Sequence, residues 1–254
     1  MTVQLAELTR EQIAEMAPNA VVVLPTASIE QHGPHLPVIT DTTLCGTVAD
    51  RAAQLAAKDV PVLVAPVLWT GNSHHHFPWA GVLSLPSPNY ITTVIDVCEG
   101  LVKSGFRKMI ILNGHGGNTD SNRVVALDMA NRLGHPVRIA AAAYWDVARA
   151  SLVEETGFDS KLIPGHAGHF ETALMLAIRP DLVNRDGLAR TQSVPADQGL
   201  FSDFAGAVVQ THGAWQQSVG YTDTPAAATA EEGQKLLDVI VRRVAELFVA
   251  FHKS

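Results

Sequence analysis

The chain has 254 residues, 47% of them hydrophobic and 17% charged, which is enough for a sizeable core and excludes a disordered segment. A net charge of -7, with basic residues scattered singly or in pairs as at Arg107 and Lys108, excludes the electrostatic footprint of a nucleic-acid binder. The longest apolar runs are strand-sized, so no membrane span is expected.

The opening MTVQLAELTREQIAEM mixes acidic and apolar residues without the basic-then-apolar order of a secretory leader, so a cytoplasmic protein is expected. AVVVLP (20–25) is β-branched, short and closed by proline, as a buried strand should be. The loop SIEQHGPHLPVITD (28–41) follows, and then a helical pattern over 42–58 with Asp41 where an N-cap would sit. PVLVAPVLW (61–69) reads as a second buried strand and 87–105 as a helix, started by Ser87 and Pro88 and stopped by Gly105. KMIILNG (108–114) is a third strand, followed by a helix from about Asn118 to Leu133 that ends at Gly134. VRIAAAAYW (137–145) is a fourth strand. A helix starts near Gly168 and ends at Pro180. The last helix places Leu237, Ile240, Val244, Leu247 and Phe251 on one face. Segment 191–223, rich in Gly and Gln, reads as an irregular surface excursion near the site.

Strands alternating with helices imply βαβ units. The expected fold is a three-layer α/β/α architecture around a mainly parallel sheet, with residues 1–254 forming one domain. Cys45 and Cys98, both inside apolar helical patterns, are expected as packed thiols rather than a disulfide.

Such sheets bind ligands outside the carboxyl ends of their strands. There the sequence concentrates its polar residues. Glu30 and His32 follow the first strand, Asp41 opens the next helix, NGHGGN (113–118) presents His115 after the third strand, and GHAGHFE (165–171) supplies His166 and Glu171 after the fourth. Glu30 and His32, two apart, point the same way in extended backbone. Three carboxylates and two imidazoles exceed what one tetrahedral zinc needs. They suit two divalent ions with one carboxylate bridging, a pair that makes a nucleophile at neutral pH and polarises a carbonyl. Zinc, manganese or iron would each fit the mixed O/N set.

The elements LPTASIEQHGPHLPVITD, HFPWAGVLSL, NGHGGN, GHAGHFET and YTDTPAAATAEEG, in this order along nearly the whole chain, resemble the creatininase (creatinine amidohydrolase) family of dinuclear metal hydrolases. The resemblance implies that Glu30, Asp41 and His115 hold one ion, and that His32, Asp41 and a further glutamate hold the other. In creatinine-hydrolysing members that glutamate lies two residues after the histidine of the NGH motif. Here that position is Gly117, and relatives with NGHGGN draw the ligand from the helix glutamate, Glu171. His166 matches the catalytic histidine, suited to moving a proton to the leaving nitrogen. His76 matches a substrate-side histidine, Trp145 a tryptophan of the pocket, and the Gly116 N–H is placed to hold the substrate carbonyl oxygen. The family also implies a homo-oligomer, with hexamers typical.

Two departures point away from creatinine itself. Leu162 stands where creatinine hydrolases carry a flap tryptophan, and the family's FPGT reads WAGV (79–82). The expected activity is therefore hydrolysis of a C–N amide bond in some small or cyclic substrate. Relatives acting as a deformylase, a peptidase or a hydrolase of a sugar-derived ring are the enzymatic alternatives. A metal-dependent binding protein is the non-enzymatic one, and carbonyl enolisation at the same metals a weaker rival. In the run His74–His76, three adjacent residues in extended chain cannot all ligate one ion, so His74 and His75 are expected as loop residues. His35 and His169 are expected in structural hydrogen bonds or packing.

Overall fold

Val21–Thr26 (β1 below) is buried at every position, and its β-branched side chains divide alternately between two faces. Val21 and Val23 enter one apolar cluster, Val22 and Leu24 the other, so the strand is covered on both sides. The structure, a computed structural model, describes residues 2–196 and 208–254. In chain order its elements are α1 (Arg10–Met16), β1 (Val21–Thr26), α2 (Thr40–Ala56), β2 (Val62–Val64), α3 (Ser87–Lys103), β3 (Lys108–Asn113), α4 (Thr119–Leu127), β4 (Arg138–Ala143), α5 (Tyr144–Thr156), α6 (His169–Ile178), α7 (Arg185–Ala189) and α8 (Ala230–Lys253). The sheet runs β2-β1-β3-β4 with all neighbours parallel, and Val21 lies opposite Val62 and Lys108. One face carries α2, α5, α6 and α8; the other carries α3 and α4. This is the expected α/β/α sandwich. No helix among the described residues is long and apolar enough to cross a membrane.

Two elements differ from the sequence reading. The second strand is only three residues long, because Pro66 has no N–H to continue the ladder; the chain touches β1 again at Leu68, whose N–H donates to Pro25 O at 2.9 Å. The fourth strand ends at Ala143, and Tyr144 and Trp145 already belong to α5, a helix the sequence reading passed over. The alanine run 140–143 carries no period to separate strand from helix, and no turn residue marks the junction. As a result GHAGHFE does not follow β4 directly but comes after α5 and runs into α6, whose first turn holds Glu171.

The long α8 packs against α2, α5 and α6 through Leu236, Leu237, Ile240, Val244, Phe248 and Phe251, and Thr229 caps its first turn by accepting from Glu232 N. It meets α6 backbone to backbone at Gly233, where a Cβ would lie 1.8 Å from Ala173 O. Alanine there gains about 0.5–1 kcal/mol of helix preference. The overlap is with rigid backbone, and overpacking of this kind costs about 1–3 kcal/mol or more. Gly233→Ala should therefore lower the denaturation midpoint; an unchanged or raised midpoint would show that the two helices are free to separate.

Candidate metal centre

Side-chain amides fix the loops at the carboxyl end of the sheet. Asn113 Nδ2 donates to His115 O (2.6 Å) and its Oδ1 accepts from His115 N (3.2 Å), which folds the NGH turn onto itself. Asn118 Nδ2 donates to Ala27 O (3.0 Å) and its Oδ1 accepts from Asn72 N (2.9 Å), tying together the loops after β1, β2 and β3. The two asparagines that bracket NGHGGN thus act as staples.

Glu30, His32, Asp41, His115 and Glu171 are all buried and converge on one point. The two oxygens of Asp41 face different partners: Oδ1 lies 3.0 Å from His32 Nε2, and Oδ2 lies 3.1 Å from His115 Nδ1. Glu30 Oε2 joins the second group at 3.3 Å from His115 Nδ1, and Glu171 Oε2 joins the first at 3.7 Å from His32 Nε2. Both imidazoles have their other nitrogen occupied by a carbonyl. His32 Nδ1–H donates to Glu30 O (3.1 Å) and His115 Nε2–H to Asn72 O (3.0 Å), which turns the second nitrogen of each ring toward the carboxylates. Glu30 Oε2 and Asp41 Oδ2 are buried with no hydrogen-bond partner among the described residues. Buried carboxylate oxygens without donors are costly, and divalent cations supply what these lack.

The electrostatics express the same demand. Burial pushes Glu171 up to about 8, with Asp41 and Glu30 adding to the push against the pull of His32 and the Ala167 N–H. Burial disfavours a charged His32, yet the carboxylates of Asp41, Glu171 and Glu30 outweigh it and raise the imidazole to about 10. His115 is raised for the same reason by Glu30 and Asp41. This many buried anions call for positive charge at their centre.

A cleft of about 1050 Å³ opens above the cluster. Its lining includes His75, His76, Gly116, Trp145, His166 and Trp215. His76 Nε2 lies 3.3 Å from Glu30 Oε1, and His166 Nδ1 lies 3.6 Å from the same oxygen. Gln31 stands behind both rings: its Nε2 is 3.1 Å from His76 Nδ1 and 2.9 Å from His166 Nε2, and its carbonyl is also 2.9 Å from His166 Nε2. Burial, reinforced by His76 and His32, holds His166 well below the usual imidazole range. Thr222 clamps the backbone of His166, with its N–H donating to His166 O (2.8 Å) and its hydroxyl accepting from His166 N (2.9 Å).

Several expectations need correction. Asp41 is not an N-cap: α2 begins at Thr40, Ile39 occupies the cap without a side-chain bond, and the Asp41 carboxylate is turned into the cluster instead. The histidine run is a 3-10 turn, His74–His76, not extended chain, so His75 and His76 both reach the site. The His75 ring stacks 5.9 Å from that of His115, and burial with His76 pushes it down to about 3. His35 donates or accepts at Thr172 (2.9 Å) and His169 pairs with Glu232 (2.5 Å), as structural contacts. Cys45 and Cys98 are buried free thiols. Gln31 and Trp215 were missed. Gln31 lies inside a quoted motif, but Trp215 stands in irregular sequence with no periodic signal. Part of the 191–223 excursion, residues 197–207, lies outside the described residues.

The family model described as creatinine amidohydrolase, Creatininase, matches residues 6–248. The chain belongs to the creatininase family. It is 29% identical over 95% of its length to a mycofactocin precursor peptide peptidase of Mycobacterium tuberculosis, covering 90% of that protein. It is likewise 29% identical over 96% of its length to a creatinine amidohydrolase of Pseudomonas putida, covering 95% of it. A solved creatininase variant complexed with creatine superposes with a TM-score of 0.79 at 25% identity, each chain fully covered, and other solved creatininases are manganese and zinc–zinc forms. The protein is thus a hydrolase of a metal-binding amidohydrolase family.

At Gly117 a Cβ would lie 2.3 Å from Asn72 O and 2.5 Å from His115 Nε2, so no side chain fits there. Glu171, held by the Ala167 N–H at 2.6 Å, is a second carboxylate beside His32, after Asp41.

Proposed function

We propose that this creatininase-family chain is a single-domain amidohydrolase that holds two divalent ions and cleaves a C–N amide bond in a small or cyclic substrate. The observation that carries the reading is the division of Asp41, whose two oxygens lie about equally close to His32 Nε2 and His115 Nδ1. Glu30, Asp41 and His115 would hold one ion, and His32, Asp41 and Glu171 the other. Bound there, a pair of zinc, manganese or iron ions supplies a nucleophile from water at neutral pH and polarises the carbonyl. His166 rests Nε2 against Gln31 and turns Nδ1 toward Glu30, so Nδ1 takes up a proton as the nucleophile adds and returns it to the departing nitrogen. Gly116, which lines the cleft with open space where a Cβ would be, offers its N–H to the substrate oxygen. His76 and Trp145 contact substrate from the cleft walls.

The size of the cleft and the similarity to a peptide peptidase support a second substrate class, a peptide-like amide. A cytoplasmic homo-oligomer belongs to the same reading; exposed Trp69, Phe77 and Leu83 support the assembly, which sizing in solution tests.

The test is elemental analysis, followed by assays of holo and chelated protein against creatinine, formamides, short peptides and lactones. Two ions per chain with chelator-sensitive turnover of an amide is the expected result, and a protein that holds metal but turns over none of these amides would return the metal-dependent binding-protein reading. Glu171→Gln should lose one ion and retain the other. Two-ion occupancy in that variant would show that Glu171 is not a ligand.

A further inference from the structure

Trp215 comes from the 208–223 stretch, far in sequence from every metal-centre residue, yet its indole sits among the site histidines. Ring centroids lie 4.4 Å from His76, 5.0 Å from His166 and 5.6 Å from His75. The first two contacts are edge-on, so the indole rests against the imidazoles without stacking flat on them, and it also lines the cleft. The stretch is anchored. Val194 N donates to Asp223 O (2.8 Å), Gln192 N donates to the Tyr221 hydroxyl (2.9 Å), and Thr222 grips the backbone of His166. Trp145, Ile163 and Pro164 line the same cleft. An amide held over the carboxylate cluster would fill only the floor of a cleft of about 1050 Å³, whose walls set the apolar Trp145, Ile163, Pro164 and Trp215 beside the polar Asn72, Ser87, Lys161 and Gln210.

We propose that Trp215 is a specificity-determining residue whose indole forms one wall of a subsite for a flat, apolar group next to the scissile amide. The inference rests on the metal-centre reading and names the substrate class that centre accepts: amides bearing a planar or aromatic substituent. Aromatic walls favour such groups through their faces and edges as well as through buried area.

Hydroxamic acids test this without knowledge of the natural substrate, because they chelate divalent ions through two oxygens and the remainder of the molecule can be varied. Acetohydroxamate and benzohydroxamate are titrated into the zinc-loaded protein by calorimetry, with zinc content measured in parallel. Benzohydroxamate should bind about 10-fold tighter. In Trp215→Ala that preference should fall close to one while the Kd for acetohydroxamate stays unchanged, and Trp215→Phe should keep most of it. Equal binding of the two probes to the parent protein, a preference that survives in Trp215→Ala, or failure of both to bind protein with measured zinc would each overturn the subsite. A protein that takes up no zinc and binds neither probe would overturn the metal-centre reading beneath it.

Discussion

Asp41→Asn should purify with little of either ion and lose activity by about 10³-fold or more, since ions of this kind contribute several kcal/mol of transition-state stabilisation. The reason is geometric: Asp41 places one oxygen in each half of the cluster, 3.0 Å from His32 and 3.1 Å from His115. Asparagine keeps the size but replaces one oxygen with an NH₂ that cannot coordinate and removes the charge. Metal content by elemental analysis and turnover of whichever amide the parent accepts are the two measurements. The contrast with Glu171→Gln gives the prediction its content, because a ligand of one ion and a shared ligand should differ in the number of ions lost. Equal losses from the two variants would mean that Asp41 does not bridge.

His166→Ala should leave both ions in place and lower turnover by about 10²–10⁴-fold, the range that a positioned proton donor supplies. His166 lies at the edge of the cluster, its Nδ1 3.6 Å from Glu30 Oε1, and its ring is held by Gln31 and by the two backbone bonds to Thr222. Removing the ring takes away the proton carrier and a neighbour of the His32 ring, 4.5 Å away between centroids, but none of the side chains assigned to the two ions. Added imidazole should restore part of the activity if the side chain moves a proton. A variant that loses metal in proportion to activity would instead make His166 a ligand, a role its place within reach of Glu30 and His32 makes worth testing.

The convergence of Glu30, His32, Asp41 and His115 was legible in the sequence because it follows from topology. Parallel strands β1 and β3 are neighbours, so the loops after them meet at one edge whatever their side chains. Glu171 was legible for another reason: a carboxylate within the apolar turn HFETALMLAI needs a partner wherever it is buried. Asp41 was read both as a helix cap and as a candidate ligand; the cap reading failed because α2 starts one residue earlier, at Thr40, and a helix-start carboxylate looks the same in sequence whether it caps or ligates. The conformation of His74–His76 was not legible, because an isolated 3-10 turn leaves no period. Helix α5 went unread where the alanine run hides the change from strand to helix. Trp215 depends on an irregular segment folding back over the site, and nothing local in GAWQQ encodes where it lands.

The tight packing at Gly117 bears on how such a centre can change over time. A glutamate there, where the resemblance places the ligand of creatinine-hydrolysing relatives, would collide with the Asn72 carbonyl and with the His115 ring. Asn72 is itself tied to Asn118, so room at 117 appears only when the loop after β2 is rebuilt. On the proposed ligand set, replacing Gly117 by glutamate does not by itself move the second carboxylate donor from α6 to the NGHGGN loop. The exchange requires coordinated steps, and the first of them alone would dislodge the histidine that both arrangements need. On the ligand set proposed above, steric exclusion at this glycine ties the chain to its helix-borne carboxylate, and laboratory redesign would have to start from the 72–76 backbone rather than from the donor.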